Sequence, residues 1–233
     1  AERWRRQQDE VAAAVRAASG TAVVPVIKAN GYGLGQRVLA DEALRLGVDT
    51  VAVGTVAEVA EVAAYGTYDI VVLEPFDPRD RLAAATWWDV GQHLFAGRVV
   101  RTVAAREALL ALAAGPGSVR IVLEARTSMH RFGFDEPELL RVLSDPPVRE
   151  AFARGRVLVD GLALHLPMAQ PADDVPARGA AGSPKAREVV RWAGLWQTQT
   201  QVWSGHNSPA ARVSVSHLAD DALALAASAV ADV

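Results

Sequence analysis

A (β/α)8 barrel of the TIM type, ending before its eighth strand, is the fold class this sequence predicts. Three observations lead there. Short apolar runs alternate with longer helical stretches along the whole chain. The runs are almost continuously apolar, as strands buried on both faces of a parallel sheet are. Seven such strand–helix units fit within 233 residues, close to the ~250 residues that a barrel typically takes.

In chain order, a leading helix is expected over 3–17, before the first strand. Strands are expected at 22–27, 50–53, 70–73, 92–95, 119–123, 158–165 and 213–216. Helices are expected between and after them at 36–46, 56–64, 101–113, 137–143, 183–196 and 219–229. Alanine-rich composition and opposite charges about one turn apart support the helices. The stretch 171–184, rich in Pro, Gly, Ala and Asp, reads as a loop. It follows the sixth strand, as a lid or as a tolerated insertion. A barrel one strand short leaves two open sheet edges, which soluble proteins rarely tolerate. The expectation is therefore one barrel domain over 1–233, cut from a longer polypeptide. An open doubly wound sheet, which accepts any strand number, is the alternative.

Composition narrows the function classes. Half of the residues are apolar, and the charged fraction is moderate, as in soluble globular proteins. The net charge of −3 gives no case for nucleic-acid or anionic-membrane partners. No apolar stretch is long enough to span a bilayer, and the N-terminus lacks the order of a signal peptide. The absence of cysteine removes disulfides and thiolate chemistry, and fits a cytoplasmic location. The five histidines show no metal-ligand spacing, so no metal is expected.

Lys28 closes the first apolar run and is followed by Ala29-Asn30-Gly31-Tyr32-Gly33-Leu34-Gly35. A lysine at a strand end points its amine into the space beyond the sheet, and the glycines allow a tight turn against a ligand. Desolvation there would suit the amine to form a Schiff base with a carbonyl. The segment resembles the pyridoxal-phosphate lysine motif of the alanine racemases, in which Lys-Ala-x-x-Tyr-Gly follows the first barrel strand. A second stretch, Leu123-Glu124-Ala125-Arg126-Thr127-Ser128-Met129-His130-Arg131-Phe132-Gly133, resembles the family's pattern at the end of strand five.

The resemblance implies a pyridoxal 5'-phosphate enzyme of fold type III acting on a small-molecule amino acid. Lys28 would be the Schiff-base lysine and one acid/base. Tyr32 would hydrogen-bond the cofactor phosphate, and its ring would exclude water. Arg131 would contact the cofactor's phenolic oxygen and the substrate carboxylate through its planar fork. His165, ending the sixth strand, would neighbour the pyridine ring. Ser216 would meet the phosphate at a strand end preceding a helix, with Ser208 as the alternative. Glu124 stands where many family members carry a carbamylated lysine, and would orient Arg131 as a carboxylate. Two departures stand out: Arg126 replaces an aspartate, and Ser128 replaces a glycine.

The family's second base is a tyrosine from a β domain of the partner subunit. That domain lies outside this sequence, and a homodimer of the full-length protein is implied. The alternatives are a single-domain pyridoxal-phosphate-binding protein handling cofactor supply, a decarboxylase or aldolase of the same fold type, and a barrel that has lost its cofactor.

Overall fold

The computed structural model describes residues 2–19, 22–115, 117–168, 183–203 and 209–218, with residues 223, 224, 227 and 228 beyond them. Six strands form one parallel sheet in chain order: β1 (Thr50–Val53), β2 (Asp69–Pro75), β3 (Val99–Val103), β4 (Val119–Ala125), β5 (Val157–His165) and β6 (Val213–Ser216). The sheet curls into an incomplete (β/α) barrel, with helices covering its convex side. These helices are α1 (Glu2–Ser19), α2 (Gln36–Arg45), α3 (Val59–Ala63), α4 (Arg81–Gly91), α5 (Arg106–Ala114), α6 (Glu136–Ser144), α7 (Pro146–Ala153) and α8 (Pro184–Val202).

The segment expected as the first strand pairs with β1 at one bridge only, Val26 against Ala52. Ile27 N–H donates to the Ala52 carbonyl at 2.8 Å, and Ala52 N–H donates to the Pro25 carbonyl at 2.9 Å. Pro25 has no N–H to give, which is one reason the pairing stops short of a ladder. The segment nonetheless occupies the first barrel position, beside β1.

The expected strand at 92–95 is a turn that follows α4, a helix absent from the sequence reading. Leu94 and Phe95 imitated an apolar run, but Leu94 is fully exposed and the Phe95 ring stacks on His93. The third strand is Val99–Val103, whose last three residues fall within the helix expected at 101–113. That helix starts only at Arg106. Helix α7, with a proline at each of its first two positions, was also unforeseen. The expected 56–64 helix divides into a 3-10 turn and α3. Most of the expected 219–229 helix and nearly all of the 171–184 loop lie outside the described residues.

Register decides what each face carries. Ile121, Leu123, Leu162 and Leu164 are buried against the helices, and join Leu109, Phe152, Trp192 and Trp196 in one core cluster. Ile70, Val72 and Val51 anchor a second cluster under α2–α4. The opposite face takes Arg120, Glu124, Ala163, His165, Ser214 and Ser216, through the pairs Glu124–Ala163, Ala163–Ser214 and His165–Ser216. At the N-terminal ends of the strands Arg120 bonds Asp69 at 2.7 Å and Asp160 at 2.6 Å. This polar plug spans three strands, which leaves the C-terminal ends for chemistry, as in other barrels.

Candidate active site

The C-terminal rim gathers Lys28, Glu124, Arg131, His165, Ser216 and His217. Lys28 follows the bridged segment and is exposed, so the described residues do not supply the desolvation expected for its amine. A left-handed turn begins directly after it, with φ of 49° at Ala29, 57° at Asn30, 54° at Gly31 and 55° at Tyr32. This backbone carries Tyr32 outward, and its side chain is fully exposed. Tyr32 is therefore not brought to the other site residues in this structure.

His165 sits at the centre. Its Nδ1 lies 3.1 Å from the Ser216 hydroxyl. Its ring meets that of His217 edge-on, at 5.2 Å and 87° between planes. Burial pushes the His165 imidazole down to about 4, and the charges of Arg131, His217 and Lys28 push the same way. The ring is thus uncharged at neutral pH, and it feels both cations that the sequence reading singled out. His217, at φ 57°, belongs to this cluster too, although the sequence offered no sign of it beyond adjacency to Ser216. Ser216 is engaged with His165. Ser208, the alternative phosphate donor, lies outside the described residues.

Glu124 is buried, and burial raises its carboxyl to about 7; the Arg131 charge opposes this without outweighing it. At neutral pH the group is therefore close to half protonated, in contrast to the permanent carboxylate expected. Arg131 is exposed and holds its guanidinium 4.4 Å from the Phe132 ring centroid.

The two departures in the loop after β4 have structural work to do. Arg126 donates through Nε to the Gly133 carbonyl at 3.1 Å and pairs with Glu138 at 3.2 Å, which ties the loop's two ends and α6 together. Ser128 gives Glu188 of α8 two hydrogen bonds, from its N–H and its hydroxyl, each 2.6 Å. Thr127 donates its hydroxyl to the His165 carbonyl, which joins this loop to the end of β5.

Residues beside Lys28 that the sequence reading passed over are Glu58, Gln36 and Gly54. The Glu58 carboxylate accepts from Ala29 N–H at 2.6 Å, Gln36 Nε2 at 2.7 Å and Thr55 N–H at 2.8 Å. Among the described residues no group of three or more His, Cys, Asp or Glu stands together as metal ligands. No helix among them is long and apolar enough to cross a membrane.

Comparison with known proteins places this geometry in a family. The family model "Alanine racemase, N-terminal domain" matches residues 3–221. No curated protein matches the chain. Among solved structures, alanine racemase from E. faecalis is 23% identical with a TM-score of 0.59, over 88% of this chain and 51% of its own. Alanine racemase from Bartonella henselae with covalently bound pyridoxal phosphate gives 17% and 0.60, over 88% and 52%. A histidine racemase from Leuconostoc mesenteroides subsp. sake gives 18% and 0.56, over 86% and 48%. The chain thus spans about half the length of the proteins it resembles in structure. With the match covering nearly all of its residues, the chain belongs to the alanine racemase N-terminal domain family.

Proposed function

We propose that this chain is the lysine-bearing barrel of a pyridoxal-phosphate-dependent amino-acid racemase. The observation that carries this reading is the convergence on one rim of Lys28, Arg131 and an uncharged His165. An amine, a guanidinium and a neutral imidazole are the donor set that an aldehyde-bearing, anionic pyridine requires. The fit holds at the aldehyde and ring end of the cofactor. At the phosphate end neither Tyr32, which is exposed, nor Ser216, which is bonded to His165, is free and aimed inward.

Lys28 would hold the cofactor through its amine, Arg131 would hold its phenolic oxygen, and His165 would lie against its ring. When bound, the cofactor supplies an electron sink for the charge left when a substrate loses its α-proton. The chain's own residues do the rest. Lys28, exposed at the rim, takes or returns that proton on one side. Arg131 binds the substrate carboxylate as a forked donor. His165 stays uncharged, so it adds no second positive charge beside Arg131. Glu124, near its protonation midpoint at neutral pH, adjusts the field around Arg131 without fixing a full negative charge there.

The second acid/base would come from a partner subunit in a homodimer, and the location would be cytoplasmic. The test is α-proton exchange. An amino acid incubated in deuterated water with pyridoxal phosphate and the homodimer that carries the second acid/base gains deuterium at Cα and loses optical purity. Lys28→Ala is expected to lower both rates by about 10³-fold or more, in the range set by loss of an acid/base group. Equal rates in the variant would overturn the reading.

A further inference from the structure

We propose that Glu58 is a positioning residue for Lys28, a role that rests on the reading of Lys28 as the cofactor anchor. The geometry is that of a clamp. One carboxylate oxygen accepts from Ala29 N–H at 2.6 Å and from Gln36 Nε2 at 2.7 Å, and the other accepts from Thr55 N–H at 2.8 Å. These donors belong to three places: the residue after Lys28, the start of α2, and Thr55, which caps the 3-10 turn holding Glu58. Local capping accounts for the Thr55 bond alone. The other two reach across 29 and 22 residues of sequence. Gln36 is itself buried and lies 3.5 Å from the Ile27 carbonyl, so the residue before Lys28 is held by Gln36, the residue after it by Glu58, and those two side chains are bonded to each other.

Two further features point the same way. A Cβ on Gly54 would fall 2.8 Å from a Glu58 oxygen and 3.2 Å from the Lys28 Cβ, so carboxylate and lysine stem pack over one glycine. The turn beginning at Ala29 keeps three non-glycine residues at positive φ. Such backbone is costly and persists only where its surroundings over-determine it. Glu58 holds the first N–H of that turn through a charge-assisted bond. The direction in which Lys28 leaves the chain is thereby set by a residue on the next strand–helix unit.

The test is covalent capture of pyridoxal 5'-phosphate. The Lys28 nitrogen replaces the aldehyde oxygen, which leaves as water, and borohydride then delivers hydride to that carbon. Peptide mass spectrometry reads the fraction fixed on Lys28 at each concentration. Glu58→Ala is expected to raise the concentration for half capture by about tenfold or more. Glu58→Gln, which keeps one carbonyl oxygen toward Ala29 and Gln36, is expected to restore capture to within about threefold of wild type. Methylation of Lys28 by formaldehyde and a reductant needs no orientation, and stays within about twofold in both variants. If Glu58→Ala does not fold, Gln36→Leu replaces it and is expected to weaken capture while leaving methylation unchanged. Wild-type capture in Glu58→Ala, or in its Gln36→Leu replacement, overturns the role of Glu58 alone. A wild-type chain that captures nothing on Lys28 overturns this role together with the reading of Lys28.

Discussion

Glu124 and His165 stand near the ends of adjacent strands, and burial moves them in opposite senses. The Glu124 carboxyl rises from 4.5 to about 7, so its contribution to stability is present below 4.5 and is lost as pH rises toward 7. The His165 imidazole falls from 6.5 to about 4, so its contribution is present above 6.5 and is lost as pH falls toward 4. Between 4.5 and 6.5 the two slopes oppose each other. Glu124→Gln leaves the histidine slope alone, and its stability is expected to rise with pH across that window. His165→Asn leaves the glutamate slope alone, and its stability is expected to fall. The slope of each differs from that of wild type, with about 1.4 kcal/mol per pH unit as the ceiling for one proton and a smaller value for the partly exposed His165. Urea midpoints across the window measure this, and variants that run parallel to wild type would contradict it. At this scale the sequence was only partly legible. The places of Lys28, just after the segment bridged to β1, and of His165, at the end of β5, were readable from the apolar runs that precede them. The state of Glu124 was not, because it depends on burial that the surrounding strands create.

The loop between β4 and α6 shows what spacing conveys and what it omits. Its glycine is required: Gly133 has φ 114°, and a Cβ there would come within 2.6 Å of the Ala125 carbonyl carbon. The loop closes at this point through the Ala125–Phe134 bridge, with Arg126 N–H donating to the Phe134 carbonyl at 2.8 Å. Gly133→Ala is therefore expected to cost about 3 kcal/mol, from backbone strain together with overpacking. A thermal midpoint lower by roughly 6–12 °C would register it, and an unchanged midpoint would refute it. The motif revealed the loop, but not the partners: Arg126 pairs with Glu138 at the start of α6, and Ser128 bonds Glu188 of α8, 60 residues away. The same limit explains the misread third strand. Residues 92–95 hold only two apolar side chains and none that is β-branched, whereas Val99–Val103 is rich in valine, and packing then separates the two segments. Leu94 has nothing to pack on, whereas Val99, Val100 and Val103 are buried.

Across the whole molecule, strand order was readable from the alternation of apolar runs and helices, because parallel neighbours need a crossover between them. Ser216 reaches His165 as a neighbour in the ladder between β5 and β6, whereas Lys28, beside β1 at the far edge, comes within range of His165 only through the curl of the sheet, which no local pattern encodes. Lysine usage then makes the central claim unusually open to test. The chain has two lysines, Lys28 and Lys185. Lys28 is exposed at the rim, and Lys185 is buried in the first turn of α8. The most direct measurement is therefore the position of pyridoxal phosphate fixed by borohydride on the native chain. The expected result is one modified peptide, with the added mass on Lys28. Label confined to Lys185 or the N-terminal amine, with Lys28 unmodified, would contradict it.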